Sequence, residues 1–373
     1  MLAMRPALAV VLLFLAPVAC SAQVDLNKLK LPPGFRISVF AETKQSPRFM
    51  ALSPGGVLLV TSDDEGTVLA LPDSKKTGRA ERIATVLSDL NGPHGITFHK
   101  GKLYVGEVDK LVAYDWDEAN LRATNGRVLT RLPSSGGGHI SRTVIFHNGK
   151  MYVSAGSSCN VCRESDPRRA AVMEYNEDGS GERIFARGLR NSVGLAVNPV
   201  TKTVWATENG RDWLGDDLPP EEINDLGSGG DFGWPYCYGN RVPDLKFSSD
   251  AGQRCGSTLP AKVEMQAHSA PLGLAFYTAS MFPAEYRGDL FVAFHGSWNR
   301  SVPTGYKIVR VKLNEKSEPE GVEDFITGWM PPNPSRGTKW MGRPVGIVIG
   351  ADGSMYLSDD GNGAIYRVTW AGK

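Results

Sequence analysis

Neither sign of charge is in excess in this sequence: 41 Lys and Arg stand against 40 Asp and Glu, for a formal net charge of +1. Proteins that hold phosphate backbones carry a basic surplus, so nucleic acid is excluded as the main partner. Long hydrophobic runs are also missing. The one candidate lies in "MLAMRPALAVVLLFLAPVACSAQ", where one basic residue precedes an apolar stretch at 7–15. It is too short to cross a bilayer and has the form of an export signal. Small residues follow, so cleavage after Ala22 is expected, removing residues 1–22 and placing the protein in the periplasm or outside the cell. Cys20 offers the alternative of a lipid anchor, although Pro17 and Val18 make a poor lipidation box. Cysteine is scarce, at 5 residues. Without Cys20 four remain, and an even number in an exported protein points to two disulfides, Cys159–Cys162 and Cys237–Cys255. The first pair forms a C-x-x-C followed by Arg163 rather than His, which rules out a haem-attachment site. Long helical periodicities are lacking as well, which leaves an all-β chain.

What the sequence does have is a repeat. "PRFMALSPGGVLLVTS" (47–62), "GPHGITFHKGKLYVGEV" (92–108), "SRTVIFHNGKMYVSAG" (141–156) and "NSVGLAVNPVTKTVWAT" (191–207) share one pattern. A short apolar strand, a turn and a second strand follow one another. The pattern returns at 270–294 and at 343–359, "RPVGIVIGADGSMYLSD", and a further strand usually follows each hairpin. Six such units predict an all-β, six-bladed β-propeller extending from about residue 30 to the end. The alternation in "GKLYVGEV" fits strands. Longer gaps place insertions at about 208–270 and 312–342, and insertions of a propeller gather on one face, often the binding face.

Only 6 histidines are present. His99 and His147 fall in equivalent hairpin turns, which assigns them a turn role. His139 differs. It follows Gly136, Gly137 and Gly138 in "LPSSGGGHISRTVIF" and precedes an inner strand, a place that His94 and His268 share in other repeats. Glycine stands where the backbone needs unusual dihedrals or a close approach, and a neutral imidazole there can accept a proton. In "GLRNSVGLAV", Arg190 and Asn191 fall at the same point of the next unit. A cation buried there needs an anion or a polarised carbonyl, and a structural salt bridge is the plain alternative. "ATENGRDWLGDDLPPEEINDL" gathers Glu208, Asp212, Asp216, Asp217, Glu221 and Glu222 with Gly210 and Gly215. Carboxylates in a glycine-rich loop suit calcium, which takes carboxylate and carbonyl oxygens, and a solvated acidic loop is the alternative. Arg300 and Arg343 stand near strand starts and offer bidentate contacts to carboxylates.

On "LPSSGGGHISRTVIF", "GLRNSVGLAV", "ENG" followed by "EEIN", and "GGDFGWPYCYG", in that order over roughly 30–370, the chain resembles the soluble sugar dehydrogenases that use pyrroloquinoline quinone (PQQ), in particular their sorbosone and aldose branch. The resemblance implies a six-bladed propeller with PQQ over the central channel and calcium on the quinone. It implies His139 as general base, Arg190 at the reacting quinone carbonyl, and Asn191, Arg300 and Arg343 as cofactor contacts. It implies the backbone carbonyls of Gly210 and Arg211 as calcium ligands, to which the acidic loop adds Glu208, Asp217 and Glu222 as candidates. The expected substrate is a sugar or aldehyde, and a separate cytochrome or quinone would take the electrons. The chain departs from the glucose enzymes at Gly138, where they carry an acid, and near Leu90, where they carry a glutamine. Those departures leave the sugar open, with His94 a candidate contact. Two other function classes are a calcium-dependent lactonase-type hydrolase, which has no use for the three arginines, and a non-catalytic glycan-binding propeller.

Overall fold

The computed structural model describes residues 25–372. The expected signal segment, 1–22, and Cys20 lie outside the described residues. Among the described residues six sheets, five of four strands and one of five, follow one another along the chain. They are the six blades that the repeat predicts. Blade 1 runs from Pro47–Leu52 to Ala84–Leu87, and blade 2 from Gly95–His99 to Arg122–Arg131. Blade 3 starts at Val144–His147, blade 4 at Leu195–Val197 and blade 5 at Pro271–Phe276. Blade 6 is closed by two ends of the chain. Its inner strands are Pro344–Ile349, Met355–Asp359 and Ala364–Trp370, and its outer strand is Phe35–Glu42, paired antiparallel with Ala364–Trp370.

The alternating pattern expected of the strands holds only partly. Leu58–Ser62, Thr67–Leu71 and Leu290–Phe294 are buried at every position. Neighbouring blades cover both faces of these middle strands, so both faces are apolar. Solvent reaches the outer strands, and Arg122–Arg131 is largely exposed. The core is accordingly divided into clusters between adjacent blades. Tyr104 and Leu111 of blade 2 meet Val144 and Met151 of blade 3, for example, and Trp205 of blade 4 packs edge-on against Phe276 of blade 5 at 5.4 Å.

The central channel is plugged. Val193, Leu272 and Val345, from three blades, meet there with Phe49. His94 lies in the same ring, 2% exposed and 4.3 Å from the Phe49 ring. At the far end of the blades His99 stacks on Phe146 and pairs with Glu177, and the His147 ring contacts the Lys202 carbonyl, as turn residues do.

Two insertions sit where the spacing puts them. The first, between Glu221–Asp225 and Val263–Met265 of blade 4, holds the small pair Cys237–Tyr238 and Val242–Pro243 and the helix α1, Ser248–Ser257. The Cys237–Cys255 disulfide ties α1 to that pair, and Cys159–Cys162 closes a loop after the second strand of blade 3. Both pairings are those expected. The second insertion is shorter than the gap implied, because Pro319–Ile326 is the outer strand of blade 5, which leaves 327–343 as the connection.

Candidate functional site

Above the plug a cavity of about 200 Å3 is lined by His139, Arg190, Asn191, Asn209, Gly210, Asp212, Glu221, His268, Trp298 and Asn299, among others. An adjoining groove of about 470 Å3 shares Trp298 and Asn299 with it and is bordered by Arg300 and Arg336.

His139 is placed by backbone geometry. Gly136, Gly137 and Gly138 all have positive φ, +87°, +72° and +73°. A side chain on Gly138 would also lie 2.4 Å from the Ser158 carbonyl carbon. One on Gly156 would meet the His139 Cβ at 2.6 Å, so this glycine makes room for the imidazole. The His139 amide donates to the Ser157 carbonyl at 2.9 Å, and its Nδ1 lies 3.1 Å from the same oxygen and 3.0 Å from Ser157 Oγ. A carbonyl only accepts, so Nδ1 carries the proton and Nε2 presents its lone pair to the cavity.

Two further arginines hold the loop from behind. Arg142 donates to the carbonyls of Pro133, His139 and Ser141, and Arg169 to those of Ser135, Gly137, His139 and Gly156. Among the described residues neither has a carboxylate within salt-bridge distance. Burial, and after it the positive charge of Arg190, lowers the His139 pKa to about 3, with Arg169 and Arg142 acting in the same sense and the Ser157 hydrogen bond opposing. The imidazole is therefore neutral throughout the physiological range.

Arg190 is 6% exposed and fully engaged. Nε donates to the Asn160 carbonyl, Nη1 to the carbonyls of Asn209 and Gly210, and Nη2 to Asn160 Oδ1 and the Asp212 carboxylate. The salt-bridge alternative therefore holds in this structure, at 3.1 Å, yet the guanidinium also lines the cavity. Asn191 lines it too, its amide held by Glu208.

The remaining expected residues disperse. Arg300 borders the groove, pairs with Asp217 at 3.1 Å and bonds the Asp216 carbonyl, while its buried Nε has no partner. Arg343 reaches the carbonyls of His295 and Gly296 only at 3.3 and 3.4 Å and lies between the Trp340 and Tyr306 rings. Gly210 is at the cavity; the Arg211 side chain, which is not the group expected at calcium, pairs with Asp244 at 2.8 Å.

Glu208, Asp217 and Glu222 do not converge. Glu208 holds the Asn191 amide and Ser192, Glu222 holds the Gly239 amide and Asn224, and Asp217 is 86% exposed. These glutamates fasten the backbone from below, and burial raises both, Glu208 to about 8. Among the described residues the one grouping of three metal-competent side chains is Cys159, Cys162 and Glu164, in which the two sulfurs are joined to each other. His94 is sealed into the channel ring and does not border the cavity.

Sequence reading singled out neither Asn209 nor Trp298 and Asn299, and counted Asp212 and Glu221 only among the loop's acids. Glu221 accepts the amides of Gly210 and Ala270, and burial raises its pKa to about 7. Asn209 lies within "ENG", and Trp298 and Asn299 lie between Ser297 and Arg300, but nothing in the spacing tells which of these face inward.

With this geometry in view the comparisons are decisive. Residues 29–371 match the TrAA12-like family model. The chain belongs to that family. A pyrroloquinoline quinone-dependent sugar dehydrogenase of Hypocrea jecorina is 25% identical over 89% of this chain and 87% of its own. The pyrroloquinoline quinone-dependent pyranose dehydrogenase of Coprinopsis cinerea is 25% identical over 91% of this chain, which spans only 54% of that enzyme. An uncharacterised protein of Borreliella burgdorferi is 32% identical over 95% of this chain and 94% of its own. The holo form of the Coprinopsis PQQ domain superposes with a TM-score of 0.78 at 24% identity, covering 91% of this chain and 97% of that one. The expected kinship with soluble PQQ sugar dehydrogenases and the propeller fold are both borne out.

Proposed function

We propose that this protein is a PQQ- and calcium-dependent dehydrogenase that oxidises sugars of the aldose or sorbosone type, exported to the periplasm or beyond. The observation that carries the reading is the neutral His139, with Nδ1 bound to Ser157 and Nε2 open to a cavity that Arg190 also lines. The residues around it suit a planar tricarboxylate. Cavity and groove join through Trp298 and Asn299, Arg300 carries a buried donor without a partner, and Arg343 makes only long contacts. Arg300 and Arg343 would hold the carboxylates. Oxygen atoms for a hard cation line the cavity in the Gly210 carbonyl, Asp212 and Glu221, each of which already accepts a hydrogen bond, from Arg190 or from the Gly210 and Ala270 amides, that the cation would have to share. Those three line the cavity, whereas Glu208, Asp217 and Glu222 do not.

When bound, PQQ supplies an orthoquinone that accepts the hydride leaving the sugar carbon. His139 Nε2 takes the hydroxyl proton of that carbon. Arg190 sets a fixed positive charge beside the reacting atoms, where developing negative charge is stabilised without reorganisation. The wall of Trp298 and Asn299 orients the sugar. A separate cytochrome or quinone would take the electrons. A lactonase-type hydrolase would have no use for the set Arg190, Arg300 and Arg343.

Purified protein titrated with PQQ and calcium, then offered a panel of sugars with a dye acceptor, tests the reading. Saturable change in the quinone absorption and sugar-dependent dye reduction are expected, both lost on chelation. Absence of a spectral change with both ligands in excess would defeat the reading. Binding that survives exhaustive chelation would remove calcium from it.

A further inference from the structure

The loop closed by Cys159–Cys162 has no part in the proposed chemistry, yet it touches both side chains that do. Ser157 offers its carbonyl and hydroxyl to His139 Nδ1, and its hydroxyl also reaches the Cys159 carbonyl at 2.6 Å. Its amide donates to the Arg190 carbonyl at 2.7 Å. Asn160, the first residue inside the disulfide ring, has four hydrogen bonds to the facing wall. Its carbonyl and Oδ1 accept from Arg190 Nε at 2.9 Å and Nη2 at 3.0 Å. Its Oδ1 also accepts the Asp212 amide at 2.8 Å, and its Nδ2 donates to the Asp212 carbonyl at 3.2 Å. The other side of the loop is fixed by Glu164, which accepts from the Ser158 amide and hydroxyl.

We propose that the disulfide-closed loop of residues 157–162 is a positioning device for the reaction. Asn160 is its positioning residue, holding Arg190 and Asp212 in the cavity wall, and reduction of Cys159–Cys162 by a dithiol releases it. The activity is thereby sensitive to reductant. The physical reason is entropic. Four residues bridged by a covalent link have few conformations, so the amide of Asn160 is held at the place where Arg190 needs two acceptors. Reduction breaks one S–S bond and forms two thiols, taking two electrons and two protons from the dithiol, which becomes a disulfide. Selectivity follows from access. Cys159 and Cys162 are partly exposed, whereas Cys237 and Cys255 are 4% and 2% exposed.

This inference rests on the proposed function for its effect on turnover, but the clamp itself can be read without any cofactor. The measurement is hydrogen exchange at the Asp212 amide in the free protein, for wild type with and without dithiothreitol, Asn160→Ala, and Cys159→Ser/Cys162→Ser. Loss of its acceptor should speed exchange at Asp212 by about tenfold or more in Asn160→Ala. Reduced wild type and the double variant should move in the same direction, the double variant being indifferent to dithiothreitol. Loaded with PQQ and calcium, Asn160→Ala should lose about tenfold or more in kcat with KM held within about threefold, the mark of misplaced catalytic groups rather than lost binding. Unchanged Asp212 exchange in Asn160→Ala overturns the clamp, whatever the enzyme does. Faster exchange with unchanged kcat overturns its catalytic role. If exchange responds as expected while wild type oxidises no sugar with PQQ, the clamp stands and the functional reading falls.

Discussion

At the scale of single residues the proposed chemistry rests on His139 and the arginines, and the two kinds of side chain answer to different measurements. His139 is half-buried, neutral and bound through Nδ1, so its free nitrogen can accept a proton. General-base help is worth about 10²–10⁴ in rate. His139→Ala should therefore lower kcat by that order while PQQ still binds. His147→Ala, on the far turn of the same blade, should leave kcat as it is, because that ring bonds the Lys202 carbonyl and does not line the cavity. Steady-state kinetics at saturating PQQ and calcium decide between them, and an undiminished kcat for His139→Ala would take the base away from this residue. Arg300, which borders the groove, and Arg343 would act on binding. Arg300 has a buried, unpaired Nε and Arg343 has only long contacts, so each has donor capacity left for a carboxylate. Loss of a charge-assisted hydrogen bond costs about 1.5–3 kcal/mol, or roughly one to two decades. Titration with PQQ should show Arg300→Ala and Arg343→Ala weakened to that extent, with little change in the order of preferred sugars. Unaltered affinity in either variant would confine that arginine to its contacts with Asp217 or with the backbone.

Elements decide where those residues go, and the glycine run before His139 shows how. All three glycines have positive φ, and Gly138 in addition lies against the Ser157–Ser158 backbone. The close approach is thus to the neighbouring loop, which in turn holds the imidazole. An alanine at Gly138 meets both obstacles, a disfavoured dihedral and a carbon 2.4 Å away. Gly138→Ala should displace His139 and lower kcat by about tenfold or more, with PQQ affinity nearly kept. Equal turnover in that variant would show that the loop tolerates the shift. The six hairpins and both disulfides were legible in the sequence because they are local. A strand, its turn and its partner are contiguous, and cysteines 3 and 18 residues apart need no distant information. The special placement of His139 was legible because glycines announce an unusual backbone. The role of the acidic side chains was not. Glu208 and Glu222 have the composition of ligands, but their oxygens are already taken by the Asn191 and Gly239 amides, a pairing set by how strands of different register meet. Asn160 escaped notice for the same reason, since its acceptors matter only once Arg190 is folded opposite them.

On the scale of the whole molecule, a ring of blades buries titratable groups that a free chain would expose, and stability then depends on pH in a way the individual shifts determine. Burial lowers His139 to about 3 and His295 to about 4, and drives His94 well below its ordinary value. It raises Glu208 to about 8 and Glu221 to about 7, and Glu222 in the same direction. A histidine with a depressed folded pKa binds its proton in the unfolded chain first, so stability is lost as pH falls below about 6.5. A carboxyl with a raised folded pKa behaves oppositely. Its contribution is complete below the unfolded value of about 4.5 and is lost as pH rises through the folded one. Between about pH 4.5 and 6.5 the two sets oppose each other. Above about pH 6.5 the histidines are neutral in both states, and only the buried carboxyls remain to be ionised. The free protein should therefore lose thermal stability from about pH 6.5 to 8, the window set by Glu221 and Glu208. Glu208→Gln keeps the hydrogen-bonding shape without the ionisation and should flatten that decline. Melting temperatures of the calcium-free protein across this range provide the check. A curve that is level or rises towards pH 8 in wild type would mean that these carboxylates are already ionised at pH 6.5, held so by the amides of Asn191, Gly210 and Ala270.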